Sequence, residues 1–164
     1  MRSISELQFE AVWKSASEET REEVIRYWVN NRLIPQTDSP ERRVQEVIYV
    51  LRNSSHEVVG VSTASKLYLN FIGHHFYSFR CHIHPDFRGP AVDTQLLIKS
   101  KELLESKHKE GKEPLCVGLV VIVQNEEINK KWNYAVWPGV DLTFIGSDEK
   151  GNHIRICYFE GIKI

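Results

Sequence analysis

The chain has 164 residues, of which 41% are hydrophobic and 26% charged, with a formal net charge of −1. That length suits a single domain, 1–164, with a real core, and the near-average apolar content excludes a disordered chain. The charge balance lacks the basic surplus of a protein that grips nucleic acid through phosphates, and no apolar run approaches the ~20 residues of a membrane span, so neither nucleic acid nor membrane is an expected partner.

The N-terminal "MRSISELQFEAVW" is charged and has no secretory apolar core, which makes the cytoplasm the expected location. Within it, "ELQFEAVW" alternates weakly and predicts a first strand. "SASEETREEVIRYWVNNRLIP" predicts the first helix: Ser17 can cap it, acidic residues fill its first turn, and Val24, Ile25 and Trp28 supply an apolar face. Pro35 and Pro40 bracket a loop, after which "RRVQEVIYVLR" begins like a short helix and ends like a strand. "VVGVSTASKLYL" predicts a strand beyond the turn "NSSHE". In "NFIGHHFYSFRCHI" the period-two spacing puts Phe79, Cys81 and Ile83 on one face and Arg80, His82 and His84 on the other. "AVDTQLLIKSKELLESKHKEGK" has helical spacing and ends in lysines and Gly111, as a helix C-terminus should. "PLCVGLVVIV" is nearly all apolar, the pattern of a strand buried on both faces. "NEEINKKWNYAVWPG" predicts a short helix or an irregular segment, and "VDLTFIG", "SDEKGN" and "HIRICYF" a terminal hairpin. The sum is one mixed α/β (α+β) domain, with helices flanking a mostly antiparallel sheet. Cys81, Cys116 and Cys157 are odd in number and sit in apolar runs, which predicts buried reduced thiols.

The stretch "IHPDFRGPAVDTQLL", residues 83–97, carries most of the functional signal. A strand, a short Gly-containing turn and a helix start together form a place where backbone N–H groups can hold a phosphate. Against that, Pro90 removes one donor and Asp93 puts a carboxylate where an anion would sit. Gly89, Pro90 at the first helical position and Asp93 in the first turn also make a well-formed helix start with no ligand at all.

"IHPDFRG" resembles the V-x-P-x-[YF]-R-G signature of the GNAT superfamily, the acyl-CoA-dependent N-acyltransferases, and the element order resembles that fold over nearly the whole chain. Arg88 and Gly89 match the signature; Ala91 stands at its first later glycine and Asp93 at the second Gly/Ala position. Gly60 looks like the glycine of the family's third strand, and Asn125 like the asparagine that follows its fifth. The family's C-terminal signature matches poorly: "NKKWNYAVWPGV" offers Tyr134 and Gly139-Val140 with one residue too many between them. The resemblance implies a GNAT-like sheet whose parallel central strands, near 75–84 and 114–123, splay apart at one end. It implies acetyl-CoA or another acyl-CoA as donor and the amine of a small molecule or peptide as acceptor. The donor would be held by Ile83, His84, Arg88, Gly89, Ala91, Val92, Asp93 and Thr94, with Asn125.

For the chemistry, His82 is the candidate base, because it lies on the polar face beside Ile83 and its ordinary pKa suits neutral pH; the alternative is a plain polar-face strand residue. Tyr134 is the candidate acid by its place after Asn125; the alternative is packing with Trp132 and Trp137. His74, His75, His82 and His84 supply no convincing third ligand, so no metal site is expected. The lysines at 99, 101, 107, 109 and 112 suit either a 3′-phosphate contact or a solvated helix face. The rival reading is a catalytically silent GNAT-fold domain that binds a partner protein or an acyl ligand, an acyl-carrier-protein donor included. The oligomeric state stays open, a homodimer among the possibilities.

Overall fold

The computed structural model describes residues 4–164; the start of the N-terminal segment, Met1–Ser3, lies outside the described residues. The chain forms two compact units, one comprising residues up to Ala64 with Cys81–Leu96, the other Ser65–Arg80 with Leu97–Ile164. Seven strands form a mixed sheet in the order β1-β2-β3-β4-β5-β7-β6.

In the first unit, β1 (Gln8–Ala11) is shorter than its alternation suggests, because Ile4–Glu6 close into a 3-10 turn ahead of it. Helix α1 (Glu18–Asn30) starts where its cap says it should: the Ser17 hydroxyl accepts from the Thr20 N–H at 3.1 Å. Ser39 caps the one-turn α2 (Pro40–Arg43), with Pro40 at its first position, and a 3-10 turn leads into β2 (Val47–Arg52). The helix-then-strand ambiguity of "RRVQEVIYVLR" is thus real, both halves being present. β2 pairs antiparallel with β1 and with β3 (Val58–Leu69). One core cluster joins Val24, Tyr27 and Trp28 of α1 to Val47, Val50 and Val61. A second joins Leu51, Val59 and Ile83 to Val92 and Leu96 of helix α3 (Pro90–Lys109), with Phe87 packed against it. Burying each such side chain is worth roughly 1.5–3 kcal/mol, so the end of β4 (His74–Ile83) and the start of α3 are pinned by hydrophobic contacts on both sides of the turn between them.

In the second unit, β5 (Cys116–Val123) pairs parallel with β4 through His75↔Cys116, Tyr77↔Leu119 and Ser78↔Val120. No pair follows Ser78↔Val120, although β5 runs on to Val123, which pairs with His153 of β7 (His153–Tyr158). The expected parting of the parallel strands is therefore present, and among the described residues the β4 ladder does not extend to Val121–Val123. Gly118 is required here for space, since a Cβ on it would stand 2.0 Å from the Cys157 carbonyl oxygen of β7. β6 (Thr143–Ser147) and β7 form the expected hairpin, and β7 lies between β5 and β6. Helix α4 is Glu126–Lys131, and the chain from there to Thr143 is irregular apart from one bridge, Val136↔Thr143.

Cys116 and Cys157 are buried as expected, but Cys81 is exposed. Its face-mates Phe79 and Ile83 are buried, so the period-two pattern gave the face but not the local exposure of Cys81. Two lysines of α3 meet carboxylates, Lys109 with Glu160 at 2.8 Å and Lys107 with Glu110 at 4.0 Å, as on a solvated face. No described helix is long and apolar enough to cross a membrane.

Candidate functional site

The β4–α3 turn is built from its own backbone. The His84 N–H donates to the Val59 carbonyl at 2.7 Å, which ties the end of β4 to β3, and Gly60 lets the two run close, since a Cβ there would stand 3.3 Å from the His82 carbonyl oxygen. The His84 carbonyl then accepts from the N–H groups of Phe87 and Arg88, at 2.9 and 3.1 Å. His84 Nδ1 accepts from the Asp86 N–H at 3.2 Å, and its ring meets Phe87 edge-on. Arg88 folds back, its Nε and one terminal nitrogen donating to the Ile83 carbonyl at 3.2 and 3.0 Å.

The first helical bond of α3 runs from the Asp93 N–H to the Gly89 carbonyl at 3.0 Å. Gly89 is therefore the N-cap, and Ala91 and Val92 lie in the first turn, where N–H groups have no intrahelical acceptor; Pro90 has no N–H to offer and Thr94 follows within the helix. Gly89 has an ordinary negative-φ backbone, and no atom lies within 4 Å of the place a Cβ would take. Neither conformation nor packing calls for glycine there.

The charges of the turn offset one another. Burial raises the Asp93 carboxyl above its ordinary pKa and the Arg88 guanidinium pulls it back. Crowding by the chain raises the thiol of exposed Cys81, Asp93 adds to the rise and Arg88 opposes it, so the three groups share one field. The objection that Asp93 repels an anion is thus weaker than sequence alone suggests, because its counter-charge sits in the same turn.

His82 is half-buried, and its pKa is lowered first by burial and then by the electrostatic influence of Arg88 and His84. Its Nδ1 lies 2.8 Å from the hydroxyl of Tyr27 on α1, and that hydroxyl donates to the Val59 carbonyl at 3.1 Å. Burial raises the Tyr27 pKa well above the ordinary tyrosine value, so its hydroxyl stays neutral. Sequence reasoning missed Tyr27. It stands 55 residues from His82 and, three positions after Val24, it reads as one more residue of the apolar face of α1. The signal was a phenol hydroxyl on a largely apolar face.

The second unit holds the other two predicted residues. The Asn125 carboxamide oxygen caps α4, accepting from the N–H groups of Glu127 and Ile128 at 2.9 and 3.2 Å. Tyr134 is 57% exposed, with its ring edge-on to Trp132 at 6.5 Å. Trp137 is covered instead by the guanidinium of Arg155, 4.6 Å from its ring centroid. Arg155 was also missed. It is 1% exposed, and its terminal nitrogens donate to the carbonyls of Tyr134 at 2.8 Å and Trp132 at 3.2 Å, so a buried cation clasps the segment that presents Tyr134. Among the described residues no group of three His, Cys, Asp or Glu is placed to hold a metal ion.

No protein-family model and no curated protein matches the sequence. Solved structures do match the fold. The ribosomal-protein-S5-alanine acetyltransferase of Vibrio fischeri is 11% identical, with a TM-score of 0.61 over 99% of this chain and 98% of that one. An acetyltransferase of the GNAT family from Streptococcus pneumoniae is 10% identical, with a TM-score of 0.59 over 92% and 96%. Arabidopsis thaliana Naa50, in complex with the bisubstrate analogue CoA-Ac-MVNAL, is 10% identical, with a TM-score of 0.57 over 94% and 99%. The chain has the GNAT fold.

Proposed function

We propose that the protein is an acyl-CoA-dependent N-acyltransferase, a single domain over residues 1–164, that moves an acetyl or longer acyl group onto the amine of a small molecule or peptide. The observation that carries this reading is Gly89: a glycine with free space above it, at the N-terminus of a 20-residue helix, beside the N–H groups of Ala91 and Val92. A pyrophosphate fits such a place, since backbone donors and the helix dipole converge where a Cβ would intrude. The β4-facing edge of Val121–Val123 offers main-chain groups to an extended pantetheine. Support also comes from the structural neighbours, whose names describe acetyltransferases and, for the Arabidopsis protein, a ligand joining coenzyme A to a peptide.

In this reading the acceptor ammonium gives a proton to His82, and the freed lone pair attacks the thioester carbonyl. The tetrahedral intermediate gives up the second proton of its nitrogen to solvent and collapses with cleavage of the C–S bond, the amide forms, and the departing thiolate takes a proton from Tyr134. His82 and Tyr134 then return to their resting states by exchange with solvent.

Calorimetry with acetyl-CoA tests the cradle through two variants. Gly89→Ala should weaken binding about tenfold, as one methyl enters the anion's space, while stability stays within about 0.5 kcal/mol; the poorer cap and the stiffer unfolded chain offset each other. Asp93→Gly should tighten binding by several-fold, because it removes a like charge worth on the order of 1 kcal/mol. Binding by Asp93→Gly but not by the wild type would favour a silent domain, and binding by neither would remove coenzyme A from the account.

A further inference from the structure

We infer that the Tyr27 hydroxyl holds His82 in the tautomer that carries its proton on Nδ1, leaving Nε2 as the only basic nitrogen of the ring. The catalytic use of that nitrogen rests on the acyl-transfer reading; the tautomer does not.

Counting protons leads to this assignment. Tyr27 has one hydroxyl hydrogen and two close neighbours that could take it, the Val59 carbonyl oxygen at 3.1 Å and His82 Nδ1 at 2.8 Å; the His84 backbone N–H that also reaches the hydroxyl can only donate. A carbonyl cannot donate, so two oxygens at 3.1 Å are held together only if the tyrosine hydrogen lies between them. The hydroxyl then has no hydrogen left for the imidazole. An unprotonated Nδ1 at 2.8 Å would set lone pair against lone pair, whereas an Nδ1–H satisfies both contacts at once. Val59 accepts twice, from Tyr27 and from the His84 N–H at 2.7 Å, which uses both of its lone pairs and fixes the hydroxyl from the β3 side.

The arrangement also suits a proton acceptor. When Nε2 takes up a proton, Nδ1–H goes on donating to Tyr27, so no partner has to turn. The charged and titratable groups around the ring are Arg88 and His84 from the turn and Tyr27 from α1. The first two disfavour the imidazolium and Tyr27 remains neutral, so the resting ring is uncharged and ready to accept. Tyr27 is a positioning residue: it would act on the acceptor only through His82.

Nitrogen-15 NMR of ring-labelled histidine reads the tautomer directly, without substrate. The wild type should show the unprotonated-nitrogen signal at Nε2 of His82, and Tyr27→Phe, which keeps the buried ring and so the fold, should move it toward Nδ1 or an average of the two. With an acceptor amine and acetyl-CoA, Tyr27→Phe should lower kcat about tenfold or more and leave the KM for acetyl-CoA unchanged, as expected when a ring's orienting partner is removed. A wild-type signal showing the proton on Nε2, or a Tyr27→Phe spectrum identical to wild type, overturns the inference. The Nδ1–H tautomer in a protein that acylates nothing would uphold the inference and count against the acyl-transfer reading alone.

Discussion

Replacing His82 by Ala should cost about 100-fold or more in acyl transfer near neutral pH, the typical contribution of a positioned base. The loss should be greatest where the acceptor amine is mainly protonated and should shrink as pH rises, because free amine then forms without help. The direction of the His82 shift fixes a second feature of the profile. Its pKa is lowered by burial, Arg88 and His84, so the basic form persists to lower pH than in an unperturbed histidine. The acid limb of kcat/KM for the wild type should therefore lie below the ordinary value of about 6.5. Tyr134→Phe should behave differently, slowing turnover with little change in acyl-CoA affinity, because thiolate protonation matters only as the bond breaks. Assays over a panel of small amines and peptide N-termini, from about pH 5 to 9, check all three. Brisk wild-type turnover matched by both variants would remove the roles of His82 and Tyr134 and leave the enzyme.

Local signals in the sequence carried far in this molecule, and it is clear where they stopped. Strand periodicity, the Ser17 cap and the lysine-Gly111 helix end depend on neighbours within a few residues, and β3, β4, α1 and α3 lie where those signals put them. The turn "IHPDFRG" was legible for the same reason, its hydrogen bonds running among residues 83 to 93 apart from the tie of the His84 N–H to Val59. Tyr27 and Arg155 were not legible, because each acts through partners distant in sequence: Tyr27 meets His82 from 55 residues away, and Arg155 holds carbonyls 21 and 23 residues before it. In both cases a polar side chain is buried in the fold. A buried polar group must find partners, so these two positions are where a sequence of this kind points beyond packing. The exposure of Cys81 was hidden for another reason, since alternation gives the face of a strand but not how that face is covered residue by residue.

Gly118→Ala should produce the largest loss of stability of any glycine-to-alanine change in this chain, and the contrast with Gly89 gives the result its meaning. At Gly89 an added Cβ meets nothing within 4 Å. At Gly118 it would stand 2.0 Å from the Cys157 carbonyl oxygen and 2.9 Å from the Cys157 carbonyl carbon and the Tyr158 Cα. A Cβ has no rotamer to escape through, and the atoms it strikes are backbone, so β7 must move away from β5. That movement strains the Gly118↔Tyr158 and Leu119↔Cys157 pairs, and Leu119 is also paired with Tyr77 across the parallel ladder. Overpacking in a filled core typically costs 1–3 kcal/mol where side chains can yield; with backbone on both sides, about 3 kcal/mol or more is expected. For a domain of this size that lowers Tm by roughly 6–12 °C, at the 2–4 °C per kcal/mol usual for 150–250 residues. Thermal melts of both variants decide the matter. Gly118→Ala should melt well below wild type, while Gly89→Ala should melt with it and differ in its response to acetyl-CoA. Equal melting of Gly118→Ala and wild type would mean that β5 and β7 do not approach as closely as described, and the strand order around β5 would have to be redrawn.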